Sequence, residues 1–108
     1  MDIFAETKGK AAVITLKGDL DYDSYKELEM AVEYAMAQGN TPIALDMTAV
    51  PHIDSMGLGT ITKYWRLTEQ QQQTLCLVGV QKSVREIVNL VNLDKRIKMF
   101  DNVDEALR

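Results

Sequence analysis

The chain has 108 residues, of which 46% are hydrophobic and 26% charged, with a formal net charge of −4. Those values fit one domain with a single core and exclude a disordered chain. The acidic balance excludes nucleic acid as a partner, since no Lys/Arg cluster is large enough to neutralise a run of phosphates. The densest basic group, Lys95, Arg96 and Lys98, reads as a solvated junction. The longest apolar runs, Ala11 to Leu16 and Leu75 to Val80, are too short to cross a bilayer. No charged-then-apolar leader opens the sequence. Cys76 stands alone inside an apolar run and reads as a buried strand thiol in a reducing compartment. There is no second cysteine or histidine cluster to hold a metal. The expectation is one cytoplasmic domain over residues 1–108, a monomer when free.

In chain order, Ile3 to Thr7 reads as an edge strand and Ala11 to Lys17 as a β-branched, apolar strand closed by Gly18. An acidic loop, Asp19-Leu20-Asp21-Tyr22-Asp23, leads to Ser24. With Glu27 three residues on, Ser24 has the spacing of a capping box. Tyr25, Leu28, Val32, Ala35 and Met36 follow at helical spacing until Gly39-Asn40. Pro42 to Met47 is a short apolar strand with proline first, where no ladder donor is lost. After a Pro-containing connection, Leu58, Ile61, Thr62 and Trp65 share one face of a second helix. That helix runs into Glu69 and the glutamines 70–73, which read as a solvated end. Thr74 to Val80 is a buried-type strand. Ser83 and Glu86 repeat the capping-box spacing before a Val84, Ile87, Val88, Val91 stripe. Ile97 to Phe100 reads as a last strand, and Asn102 caps a short segment from Val103 to Leu107. The order is β-β-α-β-α-β-α-β-α. An opening hairpin followed by alternation implies an α/β fold with a mixed, mostly parallel sheet of about five strands and four helices.

The stretch from Ile53 to Gly59 (IDSMGLG) is the place for chemistry or regulation. Ser55 lies between Asp54 and Met56-Gly57 where a loop enters a helix. The helix start directs free N–H groups and its positive dipole end at this loop, which suits an anion such as a phosphate carried on Ser55. A plainer account is that Asp54 or Ser55 caps the helix. Capping explains one polar residue and leaves Gly57 and Gly59 unexplained, although a glycine inside a helix costs about 1 kcal/mol relative to alanine. Two of them suggest a steric requirement.

These residues resemble the signature of the STAS domain, in particular bacterial anti-sigma factor antagonists, where a D-S-[S/T]-G-L-G segment carries a phosphorylated serine. Gly18-Asp19-Leu20-Asp21 looks like the family's G-[E/D]-[L/I]-D after the second strand. Ile43 to Met47 and Val84 to Asp94 resemble its central strand and its helix near the C-terminus. By position, the resemblance implies that Ser55 is the phosphoacceptor and that Asp21 and Asp54 are its acidic neighbours. It also implies that Met56, Gly57, Leu58 and Gly59 meet a partner. The chain departs from the pattern at Met56, at Gln70 to Gln73, and at Pro51-His52. The family implies partner switching. The unmodified protein binds an anti-sigma factor that is also a serine kinase, phosphorylation of Ser55 releases it, and a phosphatase restores binding. No cofactor is implied for this chain, because Mg-ATP belongs to the kinase.

An enzyme would need Ser55 as nucleophile with His52 as base. Ile53 stands where the first glycine of a G-x-S-x-G elbow belongs, and the tight spacing of His52, Asp54 and Ser55 disfavours a triad. The expectation is a binding protein without catalytic residues. A non-switching STAS subunit of a lipid-transport complex, a stressosome-like body or another signalling assembly is the alternative, since one fold serves all of these.

Overall fold

The computed structural model describes residues 1–108. The opening hairpin pairs β1 (Asp2–Lys8) with β2 (Ala11–Lys17) antiparallel, so that Asp2 faces Lys17 and Lys8 faces Ala11. Helix α1 (Tyr25–Ala37) leads to β3 (Ile43–Ala49), α2 (Ser55–Gln70) to β4 (Leu75–Val78), and α3 (Lys82–Leu90) to β5 (Lys98–Phe100). A 3₁₀ turn at Leu93–Lys95 precedes β5, and α4 (Val103–Ala106) closes the chain. The strands lie in the order β1-β2-β3-β4-β5, antiparallel only between β1 and β2. The mixed five-stranded sheet with four helices is the fold expected from the sequence.

Side chains alternate between the two faces of the strands, and that alternation divides the core. Ile14, Leu45 and Leu77 belong to the larger apolar cluster, with Leu28 and Val32 of α1, Ile61 and Tyr64 of α2, and Val84 and Val88 of α3. Ala44, Cys76 and Val78 point to the opposite face, where Ala106 of α4 meets them. Cys76 is buried, and that burial pushes its thiol up to about 11.

Several local expectations give way to tertiary packing. Neither capping box forms. Ser24 makes no cap bond to its helix; its hydroxyl donates to the Asp19 carbonyl at 2.7 Å and accepts from the Asp21 amide at 3.0 Å. Helix α3 begins a residue before Ser83, whose hydroxyl instead donates to the Pro51 carbonyl at 3.1 Å. The buried face of α2 is Gly57, Thr60, Ile61, Tyr64 and Thr68. It is turned from the expected stripe, so Tyr64 is fully buried while Leu58 and Trp65 are only partly so. The α3 stripe divides too: Val84 and Val88 are buried, whereas Ile87 and Val91 remain exposed. Nor are the glutamines simply a solvated end. Gln72 takes the left-handed turn (φ 60°) more often given to glycine. Gln73 is buried and donates to the Met36 carbonyl at 3.2 Å and the Asn40 carbonyl at 2.9 Å.

Candidate functional site

Two loops meet beyond the carboxyl ends of the adjacent parallel strands β2 and β3. Open α/β sheets commonly place ligand and partner sites there. A single parallel bridge between Leu20 and Ile53 joins the loops, with the Leu20 amide donating to the His52 carbonyl at 3.0 Å and the Asp54 amide to the Leu20 carbonyl at 3.2 Å. His52 therefore serves through its backbone. Leu20 and Ile53 are apolar and buried, so the bridge stays dry and fixes the relative height of the two loops.

Asp54 is the N-cap of α2, extended at φ −109° and ψ −173°. One carboxylate oxygen accepts from the Gly57 amide at 2.9 Å and the other from the Tyr22 amide at 3.0 Å. The Gly57 amide above all, with the Tyr22 amide in support, holds the Asp54 carboxyl below its ordinary value, against a smaller opposing effect of desolvation. One side chain thus caps a helix and ties down the neighbouring loop.

Ser55 is the first residue of α2 and is exposed. Its own amide and that of Met56 lie in the first turn, ahead of the Gly57 and Leu58 amides, which donate to the Asp54 side chain and carbonyl. Met56 is half-buried, as is Leu58. Asp21 is on the facing loop but is engaged locally. Its Oδ1 accepts from the Asp23 amide at 3.0 Å, and its carbonyl accepts from the Tyr25 amide at 2.8 Å. Asp21 shapes the turn that enters α1.

The two glycines differ. A Cβ on Gly57 would collide with the Leu20 carbonyl oxygen and come within 2.8 Å of Leu20 Cγ and 2.9 Å of Ile53 Cγ1. The fold itself therefore demands glycine there, because α2 must sit directly on the Leu20–Ile53 bridge. A Cβ on Gly59 would meet nothing within 4 Å. Nothing inside the chain requires that glycine.

Gly59 opens instead on a groove of about 510 Å³ along the outer side of α2. Ser55, Leu58 and Trp65 line one wall, Val91 and Leu93 the other, and Lys63, Arg66 and Arg96 give it a positive rim on an otherwise acidic protein. Beside the site, Tyr22 is 70% exposed, with its ring 6.1 Å from that of Tyr25. Sequence reasoning placed Ser55, Asp54, Met56, Gly57, Leu58 and Gly59 at one helix start, with Asp21 on the facing loop, and the structure brings these two segments together. It missed Tyr22 and the wall supplied by Val91 and Arg96. The aromatic after Gly18-Asp19-Leu20-Asp21 was the available signal for the first; the second had none.

No helix is long and apolar enough to cross a membrane, and no group of His, Cys, Asp and Glu could hold a metal ion. The family model for the STAS domain matches residues 2–106. A Thermotoga maritima protein provisionally named an anti-sigma factor antagonist is 30% identical over 70 residues, which are 65% of this chain and 62% of the relative. The chain thus matches less than two thirds of that relative's length. Anti-sigma-F factor antagonist RsfB of Mycobacterium tuberculosis is 26% identical over 98 residues, covering 89% of this chain and 78% of RsfB. Among solved structures, a crystal structure of a Thermotoga maritima protein with the same provisional name superposes with a TM-score of 0.90 at 22% identity, over 97% of this chain and 91% of that one. The Bacillus cell fate determinant SpoIIAA in its phosphorylated form superposes with a TM-score of 0.77 at 22% identity, over 98% and 96%. At that identity the two structures speak to the fold.

Proposed function

The chain belongs to the STAS domain family, and from that premise we propose that it is an anti-sigma factor antagonist that switches partners through Ser55. The observation that carries this reading is the division of labour between adjacent residues. Asp54 has both carboxylate oxygens committed to backbone amides, while Ser55 beside it stands exposed at the first position of a 16-residue helix. The cap is made by Asp54, so the serine is free for modification. Support also comes from relatives named anti-sigma factor antagonists and from a fold neighbour solved in a phosphorylated form.

The unmodified face, Ser55 with Met56, Leu58, Gly59 and the adjoining groove, docks an anti-sigma factor that is also a serine kinase. Gly59 keeps the mouth of the groove open for that partner. Phosphorylation adds about −1.5 to −2 charges at Ser55. The helix dipole favours that charge by roughly 0.3–1 kcal/mol. Repulsion from the Asp54 carboxylate is about 1 kcal/mol per unit charge in water-like screening, so the two effects largely offset each other. The fold therefore tolerates the phosphate. A partner interface does not, because an unmatched buried charge there costs about 2–5 kcal/mol. A serine phosphatase resets the protein. The chain binds no nucleotide of its own, acts in the cytoplasm, and is a substrate and ligand in this cycle without being an enzyme.

The test is intact-mass spectrometry after incubation with the cognate kinase and Mg-ATP, alongside Ser55→Ala. One added phosphate, absent from the variant and accompanied by loss of anti-sigma factor binding, is the expected result. Stable binding that ignores ATP, with no added mass, would make the chain a constitutive interaction subunit.

A further inference from the structure

Strand β1 is an edge of the sheet, so its outer row of backbone donors and acceptors has no strand partner, and all of its residues except Ile3 are exposed. Phe4, on the face away from the large helices, is 58% exposed. Such an edge is a template for another strand unless its charges forbid pairing. Here the charges select one pairing. We infer that β1 pairs antiparallel with β1 of a second copy of this chain, centred on Ala5, to make a continuous ten-stranded sheet (twice the five strands of one copy).

In that register Asp2 faces Lys8 of the second copy, Ile3 faces Thr7, Phe4 faces Glu6 and Ala5 faces itself. Every pair joins residues on the same side of the sheet: Ile3 and Thr7 share the side of Leu16 and Ala12, while Asp2, Phe4, Glu6 and Lys8 share the side of Val13 and Lys17. Two opposite-charge pairs result, one at each end. Within each copy Asp2 is already opposite Lys17 on β2, so Lys17, Asp2 and the second copy's Lys8 form a row of alternating sign across three strands. The neighbouring registers that keep the faces aligned fail on charge. Sliding by one step towards the N-terminus puts Asp2 on Glu6 twice, and sliding the other way puts Glu6 on Glu6. Like charges directly opposite are destabilising.

The two Phe4 rings become diagonal neighbours across the two-fold axis, within reach of each other. That contact covers apolar surface which is otherwise exposed, while Lys17 holds the far side of each ring, its Nζ 5.2 Å from the centroid. The two-fold axis reverses the strands, so the two Ser55 loops point to opposite ends of the sheet. The dimer is therefore bivalent, and neither Ser55 face lies at the interface. The sequence alone reads as a monomer; the edge strand argues for association.

Sedimentation equilibrium tests this with no partner present. The wild-type chain is expected to approach twice its own mass at high micromolar concentration. Lys8→Glu, which sets like charges opposite at both ends, is expected to weaken association roughly tenfold or more. Asp2→Lys combined with Lys8→Glu restores the opposite-charge pairs between copies but sets a lysine opposite Lys17 of β2, and is expected to recover part of the association. Ala5→Cys should form a cross-linked dimer under mild oxidation, while Thr7→Cys, which faces Ile3, should not; buried Cys76 stays silent in both. Far-ultraviolet circular dichroism confirms that each variant is folded. A folded monomer at all concentrations, or a dimer indifferent to Lys8→Glu and to the double reversal, would overturn the proposal. None of these readings depends on Ser55, so they fail or succeed apart from the phosphoswitch.

Discussion

The amide of Tyr22 donates to the carboxylate of Asp54 at 3.0 Å, across 32 residues of sequence. The other oxygen of the same carboxylate holds the Gly57 amide. A single side chain therefore closes the start of α2 and fixes the loop that carries Asp21. Asp54→Ala should cost about 0.5–2 kcal/mol, the range for losing a helix N-cap. The β2–α1 loop should loosen with it. Denaturant unfolding measures the first effect, and hydrogen exchange at the Tyr22 amide the second. Asp54→Asn, which keeps acceptor capacity for one amide, should fall between the two.

The same carboxylate makes a pH prediction. Its folded value is depressed by the Gly57 amide first and the Tyr22 amide second. A depressed carboxyl contributes stability above its unfolded value, near 3.8, and loses it as pH falls through the lower folded value. The stability gap between wild type and Asp54→Asn should be constant at neutral pH and close below about pH 4. Thermal melts of both proteins from pH 7 to pH 2.5 would show it. A gap unchanged at pH 2.5 would mean that the amides gain nothing from the charge.

The two glycines of α2 should respond in opposite senses. Gly57→Ala puts a methyl group against Leu20 and Ile53, with backbone on one side, and should destabilise by about 1–3 kcal/mol as overpacked cores do. Gly59→Ala faces open space and should stabilise by up to about 1 kcal/mol through helix propensity. If Gly59 is kept for a partner, that more stable variant should bind the anti-sigma factor less well. Equal binding would leave Gly59 without a role at the groove.

The order of elements along the chain, the hairpin and the Ser55 junction were legible because period, turn residues and motif spacing are local. What escaped notice came from contacts between distant segments. The face of α2 is set by Gly57 seating on Leu20, so Tyr64, on a flanking stripe, became the buried residue and reaches Glu33 on α1 with its hydroxyl. Ser24 and Ser83 have capping-box spacing, yet a carbonyl at Asp19 and one at Pro51 compete successfully for their hydroxyls. Gln73 looks like its three neighbours until Asn40, just past the end of α1, presents its carbonyl to it. The groove beside Ser55 needs Val91 and Arg96, which lie past the end of α3 and which no motif near Ser55 announces.

Gln73 makes that lesson measurable. Its amide satisfies the Met36 and Asn40 carbonyls at the end of α1, and it is buried. Gln73→Ala should strand the Asn40 carbonyl, while the Met36 carbonyl keeps the Gly39 amide, and should cost about 1–3 kcal/mol. Gln70→Ala, at the exposed end of α2, should change stability by less than about 0.5 kcal/mol. Chemical denaturation of the two variants side by side separates a buried bridge from a solvated tail, which composition alone cannot do.

A last prediction concerns the state after modification. Because Asp54 makes the cap, a negative group on Ser55 has no structural bond to displace. It enters next to a carboxylate already neutralised in part by two amides, and within the field of the helix start. Ser55→Glu should therefore melt within a few degrees of wild type, since opposing effects of about 1 kcal/mol shift a domain of this size by roughly 4–8 °C at most. Its affinity for the anti-sigma factor should nonetheless fall by tens to thousands of fold, the equivalent of about 2–5 kcal/mol. Calorimetric melting and titration of the same preparation decide the matter together. A large drop in melting temperature with a parallel loss of binding would place the switch in refolding. Unchanged melting with lost binding would place it at the interface.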